Sequence, residues 1–124
     1  MNKKVVLIED DEVTIRMYKL QFETVGLALL TAVSGQEGFN LVKKEKPDLV
    51  LLDIKLPDME GFEVLKKLKA DAQTKDIMVI VFSNTQKTGN SEKALRLGAK
   101  EFVMKTKVLP AEMLEKVKGY LENN

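Results

Sequence analysis

The chain has 124 residues, a length that fits one domain with a real core. Its apolar fraction of 44% and charged fraction of 31% are those of a soluble globular protein, and a formal net charge of +1 implies neither a nucleic-acid-coating surface nor an acidic tail. With no cysteine and no histidine, disulfides, thiol catalysis, Ser-His-Asp chemistry and the usual zinc sites are excluded, as is any phosphohistidine carried by the chain itself.

The amino terminus lacks the apolar core of a signal peptide, because Val5 to Ile8 run straight into carboxylates. No apolar stretch approaches membrane-spanning length, so the expectation is a cytoplasmic protein without membrane contact.

Val5 to Ile8 reads as a first buried strand that delivers Glu9-Asp10-Asp11-Glu12 to its carboxyl end. The stretch to Val25 carries Val13, Met17, Leu20 and Thr24 at helical spacing, with Asp11 and Glu12 in or near the first turn and Gly26 as the stop. Ala28 to Val33 is a second strand. Ser34, with Glu37 three residues on, has the capping-box pattern, and Phe39, Leu41 and Val42 give the following helix its buried side.

The central stretch is Lys46-Pro47-Asp48-Leu49-Val50-Leu51-Leu52-Asp53. A short continuous aliphatic run introduced by proline predicts a strand buried on both faces of a parallel sheet. It ends in Asp53, at the strand edge where open α/β sheets put their ligand crevices. Leu56 to Gly61 is turn-rich, and Phe62, Leu65 and Leu68 mark the buried side of the next helix, with Lys66, Lys67 and Lys69 mostly facing water. Ile77 to Phe82 is a fourth strand, ending in Ser83-Asn84-Thr85. A polar link to Gly89 precedes a short helix with Ala94, Leu95 and Leu97. Glu101 to Met104 is a fifth strand ending at Lys105, and Pro110 opens a last helix with Met113, Leu114, Val117 and Leu121.

Five β-α units in alternation, with no internal linker or repeat, predict one α/β domain over residues 1–124 built on a doubly wound parallel sheet. Strand ends from distant parts of the chain then converge on one sheet edge. Clustered carboxylates repel unless a cation lies among them, and an oxygen-only ligand set suits Mg²⁺. A hydroxyl and an ammonium facing that cation are what the oxygens of an incoming phosphoryl group need. Asp53 is then placed to act as a nucleophile and form an aspartyl phosphate.

On these residues the chain resembles the receiver domain of bacterial two-component response regulators. The resemblance is carried by Val6-Leu7-Ile8-Glu9-Asp10-Asp11, the Pro47–Asp53 strand, Leu56-Pro57-Asp58-Met59-Glu60-Gly61, Phe82-Ser83 and Leu97-Gly98-Ala99 through Lys105. It implies a flavodoxin-like (βα)5 sandwich with strand order 2-1-3-4-5. It implies further that Asp53 takes a phosphoryl group from a histidine kinase or phosphotransfer protein, and that Glu9 and Asp10 organise Mg²⁺ together with Asp53 and the backbone carbonyl of Lys55. Asp11 is the alternative member of the acidic pair, and otherwise a helix cap. Lys105 corresponds to the lysine that pairs with a phosphoryl oxygen. Ser83 and Phe102 correspond to the switch pair that moves on activation.

The resemblance implies a phosphoacceptor switch rather than an enzyme acting on a separate substrate. The expected output face is the carboxyl half, residues 91–121, and no direct nucleic-acid contact is expected. No stretch of the sequence is left over for an output domain, so regulation by protein contact and a longer parent chain both stay open. The rival reading is a receiver-like interaction module that works without phosphorylation. Two positions depart from the family pattern: Thr106 stands where proline is usual after the lysine, and Asn84 stands where a small residue is usual. A cis bond before a non-proline residue costs roughly 2.5–4 kcal/mol, so a trans Lys105–Thr106 bond is expected. Asn84 is expected to narrow access to Asp53, with Lys55 and Thr85 flanking the same entrance.

Overall fold

Strands covered by helices on both faces need apolar side chains on both, and this chain supplies them by alternation. The computed structural model describes residues 2–84 and 87–122. In chain order the elements are β1 (Lys4–Ile8), α1 (Glu12–Glu23), β2 (Ala28–Ala32), α2 (Gly35–Glu45), β3 (Leu49–Asp53), α3 (Gly61–Ala70), β4 (Met78–Ser83), α4 (Asn90–Arg96), β5 (Glu101–Met104), a 3₁₀ turn (Lys105–Lys107) and α5 (Pro110–Glu122). All strand pairs are parallel and their order is β2-β1-β3-β4-β5, so the fold is the doubly wound, flavodoxin-like sandwich. Among the described residues no helix is long and apolar enough to cross a membrane.

Alternate residues of the strands feed two cores. Val5, Leu7, Leu49, Leu51, Ile80 and Phe82 pack with Tyr18 and Phe22 of α1 and with Met113, Val117 and Leu121 of α5. Val6, Ile8, Val50, Leu52, Val79 and Val81 pack on the other face with Val42, Leu65, Leu68 and Ala94 from α2, α3 and α4. Every residue of β3 is buried, which is why its sequence is unbroken aliphatic until Asp53. Burying one such side chain stabilises by about 1.5–3 kcal/mol, so the central strand is the firmest mount for the group at its end.

The structure differs from the sequence reading in three places. Val13, Met17 and Leu20 do share a face of α1, but it is the outer one: Val13 is 58% and Leu20 60% exposed, while Tyr18 and Phe22 face the core. Larger aromatic side chains bury more area than the aliphatic stripe offers, and they decide which face turns inward. Two of the lysines on α3 are also less solvated than expected. Lys69 Nζ donates to the Lys75 and Ile77 carbonyls at 3.1 and 2.8 Å, and Lys67 Nζ lies 4.7 Å from the Phe39 ring centroid. Third, Leu95 of α4 is exposed, and Ala94 is the residue that enters the core.

Helix α1 is capped at its carboxyl end by Thr24, and Gly26 takes φ +70°, a left-handed conformation open to glycine that lets the Leu27 N–H reach the Phe22 carbonyl at 3.2 Å. Pro110 occupies the first position of α5, where its missing N–H leaves no bond unmade.

Candidate functional site

The parallel register lines up the carboxyl ends of four strands. Glu9 directly follows β1 and is held by its N–H to the Ala32 carbonyl at 3.0 Å. Asp53 is the last residue of β3 and pairs in register with Phe82; Ser83 ends β4 and pairs with Met104; Lys105 follows β5. A sequence separation of 96 residues between Glu9 and Lys105 thereby collapses to hydrogen-bond distance.

Lys105 Nζ donates to Glu9 Oε1 at 2.9 Å and Oε2 at 2.8 Å, and lies 3.4 Å from Asp53 Oδ2. It sits 4.7 Å from the Phe82 ring centroid, a cation–π contact that holds the ammonium over the β4 end. Asp53 Oδ1 accepts the Ile54 N–H at 2.8 Å, which fixes the carboxylate and leaves Oδ2 directed to the lysine. Glu9 is 1% exposed, Asp53 6% and Ser83 1%, while Asp10 is exposed. Asp53, Lys55, Ser83, Asn84 and Lys105 line a cavity of about 320 Å³ over the strand ends.

Burial pushes the Glu9 carboxyl up to about 7; the neighbouring Asp53 carboxylate adds to the shift and Lys105 opposes it. Glu9, Asp10 and Asp53 each bring an oxygen to within 4.8 Å of the others. One ammonium offsets only part of the charge of three such carboxylates, so the cluster is short of positive charge. An all-oxygen set of this kind fits a hard divalent cation such as Mg²⁺.

Asp11 is turned to a different task. It is the N-cap of α1, its carboxylate accepting the Thr14 N–H at 3.0 Å and the Thr14 hydroxyl at 2.5 Å, bonds that hold it below the usual carboxylate range. It is not among the acids gathered around Asp53. Lys55 lies on the β3–α3 loop, which is pinched by an antiparallel bridge between Lys55 and Glu60 and by the Gly61 N–H bonded to the Ile54 carbonyl at 2.5 Å. Phe102 of β5 is half-buried and packs against the core beneath α2, α3 and α4. The Lys105–Thr106 bond is trans, and Lys105 opens the 3₁₀ turn without losing its reach to Asp53. Asn84 is exposed at the cavity mouth; Thr85 lies outside the described residues.

The sequence reading missed Phe82 as the platform under Lys105, although the parallel register that opposes it to Asp53 carries the signal. It also missed the two-handed grip of Lys105 on Glu9, for which no local pattern exists.

The sequence signature of the response regulator receiver domain matches residues 5–118. The chain is 32% identical over 121 residues to the polar-differentiation response regulator DivK of Brucella ovis, covering 98% of both proteins. Among solved structures it resembles a CheY-like response regulator receiver domain protein from Methanospirillum hungatei JF-1, with a TM-score of 0.89, 32% identity and coverage of 98% of this chain and 94% of that one. The receiver domain of Francisella response regulator 1452 superposes with a TM-score of 0.88 at 26% identity, covering 99% of this chain and 100% of that one.

Proposed function

The chain belongs to the response regulator receiver domains, the phosphoacceptor switches of two-component signalling, and on that premise we propose that Asp53 is its phosphoacceptor. The observation that carries this reading is the meeting of Asp53, Glu9 and Asp10 within 4.8 Å, with Lys105 3.4 Å from Asp53 and both Asp53 and Lys105 lining one cavity. Asp53 Oδ2 attacks the phosphorus of a phosphohistidine on a histidine kinase or phosphotransfer protein. A P–O bond forms, the P–N bond breaks, and the imidazole leaves with the electron pair. Lys105 transfers its grip from Glu9 to a phosphoryl oxygen, and the Ser83 hydroxyl donates to another.

Glu9, Asp10, Asp53 and the Lys55 carbonyl would hold Mg²⁺, which when bound neutralises charge on the phosphoryl oxygens. Burial serves the chemistry as well. Glu9 and Asp53 lie where water is scarce, so the electrostatic effect of each fixed charge on the transferred group is larger than at the surface.

Drawing Ser83 toward the phosphoryl group opens space at the end of β4, and Phe102 on neighbouring β5 turns inward to fill it. This biases a two-state balance on the face formed by Ser91–Leu97, Glu101–Met104 and Pro110–Leu121, through which a downstream protein is engaged.

The test is intact mass after incubation with Mg²⁺ and acetyl phosphate or phosphoramidate. One added phosphoryl mass is expected, lost in Asp53→Ala and in EDTA. No addition to wild-type protein that binds Mg²⁺ would favour a module that works without phosphorylation.

A further inference from the structure

The β3–α3 loop is tied to a helix it does not precede. Asp58 Oδ1 accepts the Gly35 N–H at 2.7 Å and Oδ2 accepts the Gln36 N–H at 2.9 Å. These are the first two helical positions of α2, whose N-cap Ser34 takes the Glu37 N–H on its hydroxyl at 3.2 Å. Three of the four amides that the start of a helix leaves unbonded are thus satisfied, two of them by a carboxylate 22 and 23 residues away. The positive end of the helix dipole favours a charge there, and these bonds hold the Asp58 carboxyl below the usual range.

A helix of eleven residues with its own serine cap does not need a second, borrowed cap of this kind. The loop needs it more. Lys55, Pro57, Asp58 and Glu60 are exposed, and only Leu56 and Met59 of the loop pack, half-buried, against the core. Its base is fixed by the Lys55–Glu60 bridge and by the Gly61 N–H on the Ile54 carbonyl. Its tip is fixed by Asp58. Lys55 stands where the base opens toward the tip, and its backbone carbonyl, with no side-chain rotamer by which to adjust, goes where the loop goes.

We infer that Asp58 is a positioning residue of the cation site: by clamping the loop tip to α2 it presets the Lys55 carbonyl for Mg²⁺. This role rests on the proposed function and adds to it a residue that touches neither cation nor phosphoryl group. Partners that orient metal ligands characteristically alter affinity when removed, and here the expected loss of Mg²⁺ affinity for Asp58→Ala is about tenfold.

The deciding experiment is calorimetric Mg²⁺ titration of wild type, Asp58→Ala, Asp58→Asn and Ser34→Ala, with backbone amide exchange across residues 54–61 measured on the metal-free proteins. Asp58→Ala should weaken Mg²⁺ binding and speed exchange in the loop. Asp58→Asn, which keeps one acceptor oxygen, should recover part of both. Ser34→Ala removes the other cap of the same helix and should leave Mg²⁺ affinity unchanged; a purely structural effect on α2 would move it as much as Asp58→Ala does. Unchanged affinity in Asp58→Ala, or equal loss in Ser34→Ala, overturns the positioning role while leaving the phosphoacceptor reading intact. Wild-type protein that binds no Mg²⁺ overturns the proposed cation site, and this role with it.

Discussion

Lys105 lies closer to Glu9 than to Asp53: its ammonium bonds both Glu9 oxygens at 2.9 and 2.8 Å and stands 3.4 Å from Asp53 Oδ2. The lysine that is proposed to meet a phosphoryl group is therefore held by the acid proposed to help bind the cation. A cation held at Glu9 would compete with Lys105 for the same oxygens and would free the ammonium toward Asp53. On the proposed function, cation binding and readiness for the phosphoryl group would be linked through one side chain.

Removing Lys105 should accordingly have effects of opposite sign. Breaking a buried ion pair from one side costs about 3–5 kcal/mol where the remaining charge cannot be neutralised. Glu9 can take up a proton instead, so Lys105→Ala should lose only about 1–3 kcal/mol of stability in a denaturant titration. Mg²⁺ affinity should rise, because no ammonium competes for Glu9, while the rate of phosphorylation from acetyl phosphate falls. Weaker Mg²⁺ binding in the variant would show that Lys105 does not compete.

The raised Glu9 carboxyl makes stability depend on pH in a defined direction. A carboxyl with a folded pKa of about 7 and an unfolded value of 4.5 keeps its proton in the folded chain over a range where the unfolded chain has released it. More protons bound in the folded state mean that stability falls as pH rises from about 4.5 to about 7. Thermal unfolding in EDTA across that interval should show the decline, and Glu9→Gln should flatten it. Saturating Mg²⁺ should offset the decline, because cation binding expels the same proton. A flat wild-type profile in EDTA would mean that Glu9 is ionised at little cost.

Which of these features the sequence discloses follows from their range. Asp53 is legible because an aliphatic run that must be buried on both faces stops at a carboxylate, and parallel pairing and layer composition follow from β-α alternation, whereas the strand order followed only from the family resemblance. Asp11 is equally local, a cap three residues before the Thr14 amide it accepts. The outward stripe of α1 was legible as a period but not as a face, since Tyr18 and Phe22 offer a competing stripe that only the packed sheet selects. The Lys105–Glu9 grip and the Asp58 clamp join residues 96 and 22 or more positions apart, and no pattern along the chain encodes such a distance.

Asn84 tests whether access to Asp53 is gated. Its exposed side chain lines the cavity beside Asp53, Ser83 and Lys105, so on the proposed function both an incoming phosphodonor and a hydrolytic water would pass it. Asn84→Ala should raise the rates of phosphorylation and of phosphate loss together, each by less than about tenfold, since tenfold corresponds to about 1.4 kcal/mol of barrier. Mass spectrometry of phosphoprotein decay after removal of the donor reads the second rate directly. If neither rate changes, Asn84 is not a gate.

Gly61 tests how firmly the backbone of Asp53, the proposed phosphoacceptor, is held. A Cβ built on Gly61 would stand 2.1 Å from the Asp53 carbonyl oxygen and 2.9 Å from Ile54 Cα, so the first turn of α3 sits against the strand end only because no side chain intervenes. Unlike a crowded side chain, a backbone carbonyl cannot rotate away alone; either α3 or the end of β3 has to shift. Gly61→Ala should cost about 1–3 kcal/mol by the usual measure of overpacking. It should also slow phosphorylation of the fraction that remains folded, because Asp53 moves with its own carbonyl. Gly119→Ala is the matched control: it lies in α5 with nothing within 4 Å of the added methyl, and there alanine should stabilise the helix by roughly 0.5–1 kcal/mol without altering phosphorylation. A Gly61→Ala protein that is as stable and as readily phosphorylated as wild type would mean that the α3–β3 junction yields at no cost to the site, and that the close approach of Gly61 to Asp53 is incidental.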